Sequence, residues 1–128
     1  MKKQILAIDD SKAIRFLLQT VLGRSYQVVT VPDGYSAMYY LSNRELPDII
    51  IADPQLPDME EWELIAQLST SGLYGEIPLI VLSGLDEEET AARSLQYGAV
   101  KYFSKPFNPV DLVNFLGNMV RNDSVKAS

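Results

Sequence analysis

Ile49, Ile50, Ile51 and Ala52 form an uninterrupted apolar run, rich in β-branched residues, that stops at Asp53 and Pro54. A strand that alternates apolar and polar residues has one wet face. A strand without that alternation is buried on both faces, the signature of a parallel sheet covered by helices on its two sides. Pro54 has no N–H to give to a ladder, so pairing ends there. Asp53 therefore falls at the carboxyl end of a central parallel strand, the edge at which open α/β sheets bind ligands.

The rest of the chain alternates in the same sense. Gln4 to Ile8 reads as a first strand, with Asp9, Asp10 and Ser11 as a turn or helix cap. Ile14, Leu17, Leu18, Val21 and Leu22 recur at intervals of three and four, the stripe of a helix that Gly23 stops. Tyr26 to Val31 is a second strand, and Asp33 in the Pro32-Asp33-Gly34 turn is placed to cap a helix from about Tyr35 to Leu41. Leu64, Ile65 and Leu68 mark a third helix, spent by Gly72. Pro78 opens the apolar strand LIVLS, which ends at Ser83 and Gly84. The acidic run Asp86 to Glu89 reads as a helix N-terminus, with Asp86 as cap and negative charge complementing the macrodipole; that helix closes at Tyr97-Gly98. Lys101 to Ser104 is a fifth strand ended by Lys105-Pro106, and Val110, Val113, Leu116 and Val120 give the stripe of a last helix. Strand then helix, five times, predicts an α/β three-layer sandwich with right-handed crossovers and a five-stranded parallel sheet. Residues 1–121 are expected to form one domain and 122–128 a C-terminal tail.

Composition narrows the chemistry. A chain of 128 residues buries a core without disulfides, and this one has no cysteine and no histidine. Thiolate sites and imidazole bases are excluded, and any metal must take oxygen ligands. A net charge of −6 without a Lys/Arg cluster argues against direct nucleic-acid contact. The two N-terminal lysines precede only a short apolar run broken by Asp9 and Asp10, and no run approaches the roughly 18 residues of a membrane span. A soluble, cytoplasmic protein without membrane contact is expected.

Four strand ends carry polar residues on the same edge: Asp9 and Asp10, Asp53, Ser83, and Lys105. Each has an ordinary explanation alone, as a cap or a turn residue. Their common placement, in a fold that brings such ends together, points to one site. Three converging carboxylates repel unless a cation neutralises them, and Mg²⁺ suits an all-oxygen site held by one or two carboxylates plus phosphate oxygens. A hydroxyl and an ammonium facing the same point complete a phosphoryl site.

Together with Pro57, four residues after Asp53, and the stretch GAVKYFSKPF (Gly98 to Phe107), these residues resemble the receiver domain of two-component response regulators. The resemblance covers about Lys3 to Arg121 and implies a flavodoxin-like fold of strand order 2-1-3-4-5. It implies that Asp53 is the nucleophile, phosphorylated from a phosphohistidine on a sensor histidine kinase or phosphotransfer protein. By the same resemblance Asp10 binds Mg²⁺ directly and Asp9 through water, with Asp53 and the backbone carbonyl of Gln55 completing the ligands. Lys105 pairs with the phosphoryl oxygens and Ser83 donates a hydrogen bond to one of them. Tyr102 matches the family's switch aromatic, filling the space Ser83 leaves and changing the surface of helix four, strand five and helix five. The implied partners include a downstream effector protein or an attached output domain, and a phosphorylation-dependent homodimer. The domain is implied to be a signalling acceptor rather than an enzyme, with self-phosphorylation and autodephosphorylation at most. Gln55 and Leu85, flanking the site, are expected to tune hydrolysis through access of water.

Two residues depart from the family pattern. Glu61 stands where a glycine is usual, eight residues after the acceptor, and a turn wanting positive φ would be strained there. Pro54 fixes φ beside the nucleophile. Met59 and Trp62 read as helix-packing residues, and Tyr35, Tyr39 and Tyr40 as helix packing and amphipathic surface. A phosphorylation-independent interaction module of the same fold is the alternative these departures suggest. An aspartate-nucleophile phosphatase fits poorly, because its second aspartate two residues on is replaced by Ser11, Lys12 or Gln55 after Asp9, Asp10 and Asp53 respectively.

Overall fold

The computed structural model describes residues 2–127. In chain order the elements are β1 (Gln4–Ile8), α1 (Lys12–Leu22), β2 (Gln27–Val31), α2 (Gly34–Asn43), β3 (Ile49–Ala52), α3 (Glu63–Thr70), β4 (Leu79–Ser83), α4 (Glu87–Gln96), β5 (Lys101–Ser104) and α5 (Pro109–Ala127). All five strands are parallel, in the order β2-β1-β3-β4-β5. This is the flavodoxin-like arrangement. Among the described residues, no helix is long and apolar enough to cross a membrane.

The two faces of the sheet bury different residues of the same strands. Ile50 and Ala52 join Leu6, Ile8 and Val81 under α2 and α3, packing on Ala37, Leu41, Leu64, Ile65 and Leu68. Ile49 and Ile51 point the other way, with Ile5, Ala7, Ile80 and Leu82, onto Leu18 and Leu22 of α1 and Leu112 and Leu116 of α5. Burying each large aliphatic side chain is worth about 1.5–3 kcal/mol relative to leaving it exposed, so the central run is held from both sides. This explains its lack of polar alternation.

Local signals set most boundaries. Ser11 caps α1, its hydroxyl accepting from the Ile14 amide at 3.2 Å; Asp33 caps α2 through the Ser36 amide at 2.7 Å. Asp86 caps α4 through the Glu89 amide at 3.2 Å.

The last helix differs from expectation in two ways. Of the expected stripe, Leu116 is fully buried and Val120 packs against the core, but Val110 and Val113 are 62% and 38% exposed and Leu112 takes the place in the core. The difference is confined to the start of the helix, where spacing alone does not choose between neighbouring apolar positions. The helix also continues to Ala127 across the segment expected to be a tail, which contains no Gly or Pro to stop it.

Candidate functional site

Register builds the site. Ile8 of β1 pairs with Ala52 of β3, so the residues that follow, Asp9 and Asp53, emerge side by side. The Asp53 amide donates to the Ile8 carbonyl at 2.9 Å and extends that pairing by one step. On the other side Ser83 of β4 pairs with Ser104 of β5, and the Lys105 amide donates to the Ser83 carbonyl at 2.7 Å. Lys105 thus leaves the sheet on the same edge; its peptide bond to Pro106 is cis.

Each buried carboxylate divides its oxygens in the same manner. Asp9 Oδ1 accepts from the Ser11 amide at 2.9 Å and Asp53 Oδ1 from the Gln55 amide at 2.8 Å. These loop amides fix both side chains, as Asx turns do. The other oxygens, Asp9 Oδ2 and Asp53 Oδ2, each lie 2.7 Å from Lys105 Nζ. Asp10 is exposed, and its carboxylate closes a cluster in which oxygens of Asp9, Asp10 and Asp53 lie within 4.8 Å of one another.

Burial dominates the electrostatics. It pushes the Asp53 carboxyl above its ordinary range; the Lys105 ammonium and the Gln55 amide pull back only in part, and Asp9 adds to the rise. For Lys105 burial acts downward, but the hydrogen bond to Asp53 and the ionic contact with Asp9 outweigh it and the ammonium is held above its ordinary value. The repulsion expected from sequence is present, but it is smaller than the desolvation.

The residues fit a hard divalent cation. The three carboxylates outnumber the nearby cations, the Lys105 ammonium and the Arg15 guanidinium that donates to the Asp9 carbonyl at 2.8 Å, and every candidate ligand atom is oxygen. Asp9 Oδ2 is fully buried and has no directed hydrogen bond, only the ionic contact with Lys105. A buried oxygen so placed has a lone pair to offer a metal. Among the described residues no other acidic cluster has this geometry.

Not every predicted residue joins the cluster. Ser83 is at the expected strand end and fully buried, but its Oγ accepts from the Leu85 amide at 2.9 Å and pairs with Thr90 Oγ1 of α4 at 2.9 Å. Tyr102 is half-buried on β5 and packs against the α2–α3 side of the core. The Gln55 side chain donates to Glu61 Oε2 at 3.0 Å rather than to the carboxylate cluster.

The loop after β3 corrects the reading of Glu61. The left-handed residue is Trp62, with φ 68°, and Glu61 has no positive φ. A non-glycine residue there costs about 1–2 kcal/mol. Burial compensates: Trp62 is 4% exposed, packs near Tyr97 at 6.3 Å between ring centroids, and its Nε1 donates to Glu89 Oε2 at 2.9 Å. Pro54 closes the same loop, its carbonyl accepting from the Trp62 amide at 2.9 Å.

Two residues escaped the sequence reading. Asp58 accepts from the Gly34 and Tyr35 amides at 2.9 and 2.8 Å, tying this loop to the N-terminus of α2; those bonds, Tyr35 first, hold its carboxyl below the usual range. Thr90 is the other. Its signal was available, since α4 has no apolar stripe and buries the hydroxyl residues Thr90 and Ser94 instead, while Leu95 is 83% exposed.

The family model described as the response regulator receiver domain matches residues 5–116. This chain belongs to that family. Over 128 residues the receiver chain is 35% identical to the alkaline phosphatase synthesis transcriptional regulatory protein PhoP of Bacillus subtilis, covering 99% of this chain and 52% of that one. It is 36% identical over 112 residues to the transcriptional regulatory protein KdpE of Staphylococcus aureus, covering 88% and 47%. The receiver chain therefore spans about half the length of these relatives. Among solved structures, the chemotaxis response regulator CheY4 of Vibrio cholerae superposes with a TM-score of 0.80 at 28% identity, covering 92% of this receiver and 98% of that chain.

Proposed function

We propose that this receiver domain is a phosphorylation switch in a two-component phosphorelay, with Asp53 as the acceptor. The observation that carries this reading is the shared contact of Asp53 and Asp9 with Lys105 Nζ, at 2.7 Å each. One Asp53 oxygen is fixed by the Gln55 amide, and the other is presented at the edge of the sheet beside a cation. An Asp53 oxygen attacks the phosphorus of a phosphohistidine on a sensor kinase or phosphotransfer protein; the new O–P bond forms as the P–N bond breaks, and its electron pair returns to the imidazole. Lys105 is placed to exchange its contact with the carboxylate for one with a phosphoryl oxygen. Ser83 serves as the second donor once its hydroxyl leaves Thr90 of α4.

Asp9, Asp10 and Asp53, with the Gln55 carbonyl, are the residues that would hold Mg²⁺. When bound, that ion supplies charge neutralisation for the phosphoryl oxygens. The output reading follows from the surface. Leu95, Val100, Val110 and Val113 expose apolar side chains on α4, the turn before β5, and α5, and Tyr102 lies on the strand between these helices. A switch there, driven by the roughly −1.5 to −2 charges of a phosphoryl group, would reach an effector protein, an attached output domain or a second copy of the chain. We place the protein in the cytoplasm, as an acceptor with no catalytic turnover beyond its own phosphorylation and dephosphorylation.

Intact mass after incubation with acetyl phosphate tests this reading. The wild type is expected to gain one phosphoryl group only with Mg²⁺ present, and Asp53→Asn to gain none. Equal labelling of Asp53→Asn would remove Asp53 from the acceptor role. Unchanged partner binding between wild type and Asp53→Ala, with kinase and ATP present, would favour the phosphorylation-independent module.

A further inference from the structure

The hydroxyl expected to serve the phosphoryl group is already committed elsewhere. Ser83 Oγ has one proton and two lone pairs. The Leu85 amide occupies one lone pair, and Thr90 Oγ1, 2.9 Å away, shares the remaining capacity in a hydroxyl–hydroxyl bond. Both side chains are fully buried, and among the described residues neither is joined by a hydrogen bond to the carboxylate cluster. We infer that Thr90 is a positioning residue that holds the Ser83 hydroxyl on α4, so that its bond to Ser83 sets the threshold for phosphorylation. The inference rests on the switch reading above.

The physical basis is an exchange of partners in a place without water. Ser83 cannot move to a phosphoryl oxygen without leaving Thr90, and a buried hydroxyl left without its partner is costly. The cost falls on the step that needs Ser83, whether it is the transfer itself or the stabilisation of the product. The preceding residue reinforces the arrangement. Glu89 is anchored by the indole N–H of Trp62 at 2.9 Å, so α4 is held through two neighbouring residues, one tied to the loop after Asp53 and one to the end of β4. The Trp62 bond resists displacement of the helix as a whole, which leaves rotation of the Ser83 side chain as the motion Thr90 controls.

The expected consequence is a faster switch when the Thr90 hydroxyl is removed. One net hydrogen bond of about 0.5–1.5 kcal/mol corresponds to about a two- to twelvefold change. Thr90→Val keeps the shape and deletes the hydroxyl; Thr90→Ala does so with less risk of crowding; Thr90→Ser keeps the hydroxyl. Time courses of intact mass with acetyl phosphate and Mg²⁺ should show Thr90→Val and Thr90→Ala gaining label about two- to twelvefold faster than wild type, with Thr90→Ser close to wild type.

A double-mutant cycle separates this role from simple loosening of α4. In a Ser83→Ala background, Thr90→Val should have no effect on the labelling rate, because the group it restrains is gone. Glu89→Ala, which frees the same turn of α4 without touching Ser83, should change the rate less than Thr90→Val. Wild-type or slower labelling in both Thr90→Val and Thr90→Ala would overturn the inference while leaving Asp53 as the acceptor. An equal acceleration in the Ser83→Ala background, or from Glu89→Ala, would overturn it as well. If the wild type itself gains no phosphoryl group with Mg²⁺ present, the switch reading fails and the inference falls with it.

Discussion

Lys105 Nζ and Asp53 Oδ2 stand 2.7 Å apart, although 52 positions separate them in the chain. The contact exists because β3 and β5 flank β4 in a parallel sheet, which sends all three strand ends to one edge. Lys105 also answers Asp9, so a single ammonium keeps two buried carboxylates from facing each other unpaired. Lys105→Met should therefore lower stability without metal by roughly 1–3 kcal/mol, less than for a fully buried pair because the side chain is 19% exposed. Adding Mg²⁺ should recover part of the loss. Urea denaturation with and without Mg²⁺ checks both; equal midpoints for mutant and wild type in metal-free buffer would contradict the account.

Metal removal has its own signature in the wild type. A cation that binds the folded cluster and not the unfolded chain stabilises by mass action, about 1.4 kcal/mol at ten times its dissociation constant. Titration with Mg²⁺ should raise the melting temperature with a saturable dependence, and chelation should reverse it. Asp10→Asn is expected to weaken the response, since it removes one of the three clustered carboxylates and the exposed one.

Glu61 and Trp62 make opposite predictions for a glycine. Glu61 has no positive φ, so Glu61→Gly relieves nothing, adds freedom to the unfolded chain and loses the bond from Gln55. It should destabilise by about 0.5–1 kcal/mol. Had Glu61 been the strained residue, the same substitution would stabilise. Trp62→Gly removes the strain but also a buried indole, and should cost about 2–4 kcal/mol net of the relief. Thermal melts of both variants decide which residue carries the strain.

Asp58 supplies a pH dependence. Its carboxyl is depressed by the Tyr35 and Gly34 amides, so the folded state binds its proton less readily than the unfolded chain. The stabilisation is complete above the unfolded value of about 3.9 and is lost as pH falls from there through the lower folded value. Asp58→Asn should cost about 0.5–1 kcal/mol at neutral pH, at the low end for a cap because the group is exposed and screened. The gap to wild type should close as pH falls below the lower folded value, and a gap that persists undiminished there would show that the charge is not the cause.

The single tryptophan is a built-in reporter of the junction between the loop after Asp53 and α4. At 4% exposure its emission should be blue-shifted and poorly quenched by acrylamide in the native protein, and both should change on unfolding. Quenching equal to that of the unfolded chain would be inconsistent with the indole bond to Glu89.

Much of this molecule is legible locally. The apolar run at Ile49–Ala52, the caps Ser11, Asp33 and Asp86, and the prolines that end strands act within a few residues, and each reappears in the structure. The convergence of Asp9, Asp53 and Lys105 was also foreseeable, since parallel strands of similar length must end on one edge. Less legible were features set by which side of a helix meets the sheet. Leu116 and Val120 of the expected α5 stripe do face the core, but Val110 and Val113 are exposed and Leu112 is buried, because neighbouring positions at the start of α5 are all apolar enough to compete.

The sequence by itself determined the alternation of strands and helices, the two-sided burial of the sheet and the residue types at its reactive edge, because these follow from short-range sterics and hydrophobic period. Only the tertiary structure decided that Trp62 rather than Glu61 adopts the left-handed backbone, that Asp58 caps a helix 24 positions earlier, and that Ser83 spends its hydroxyl on Thr90. Those outcomes depend on which distant group arrives within hydrogen-bonding distance once the core has packed. Such contacts are short in space and long in sequence, and no local pattern of residues encodes them.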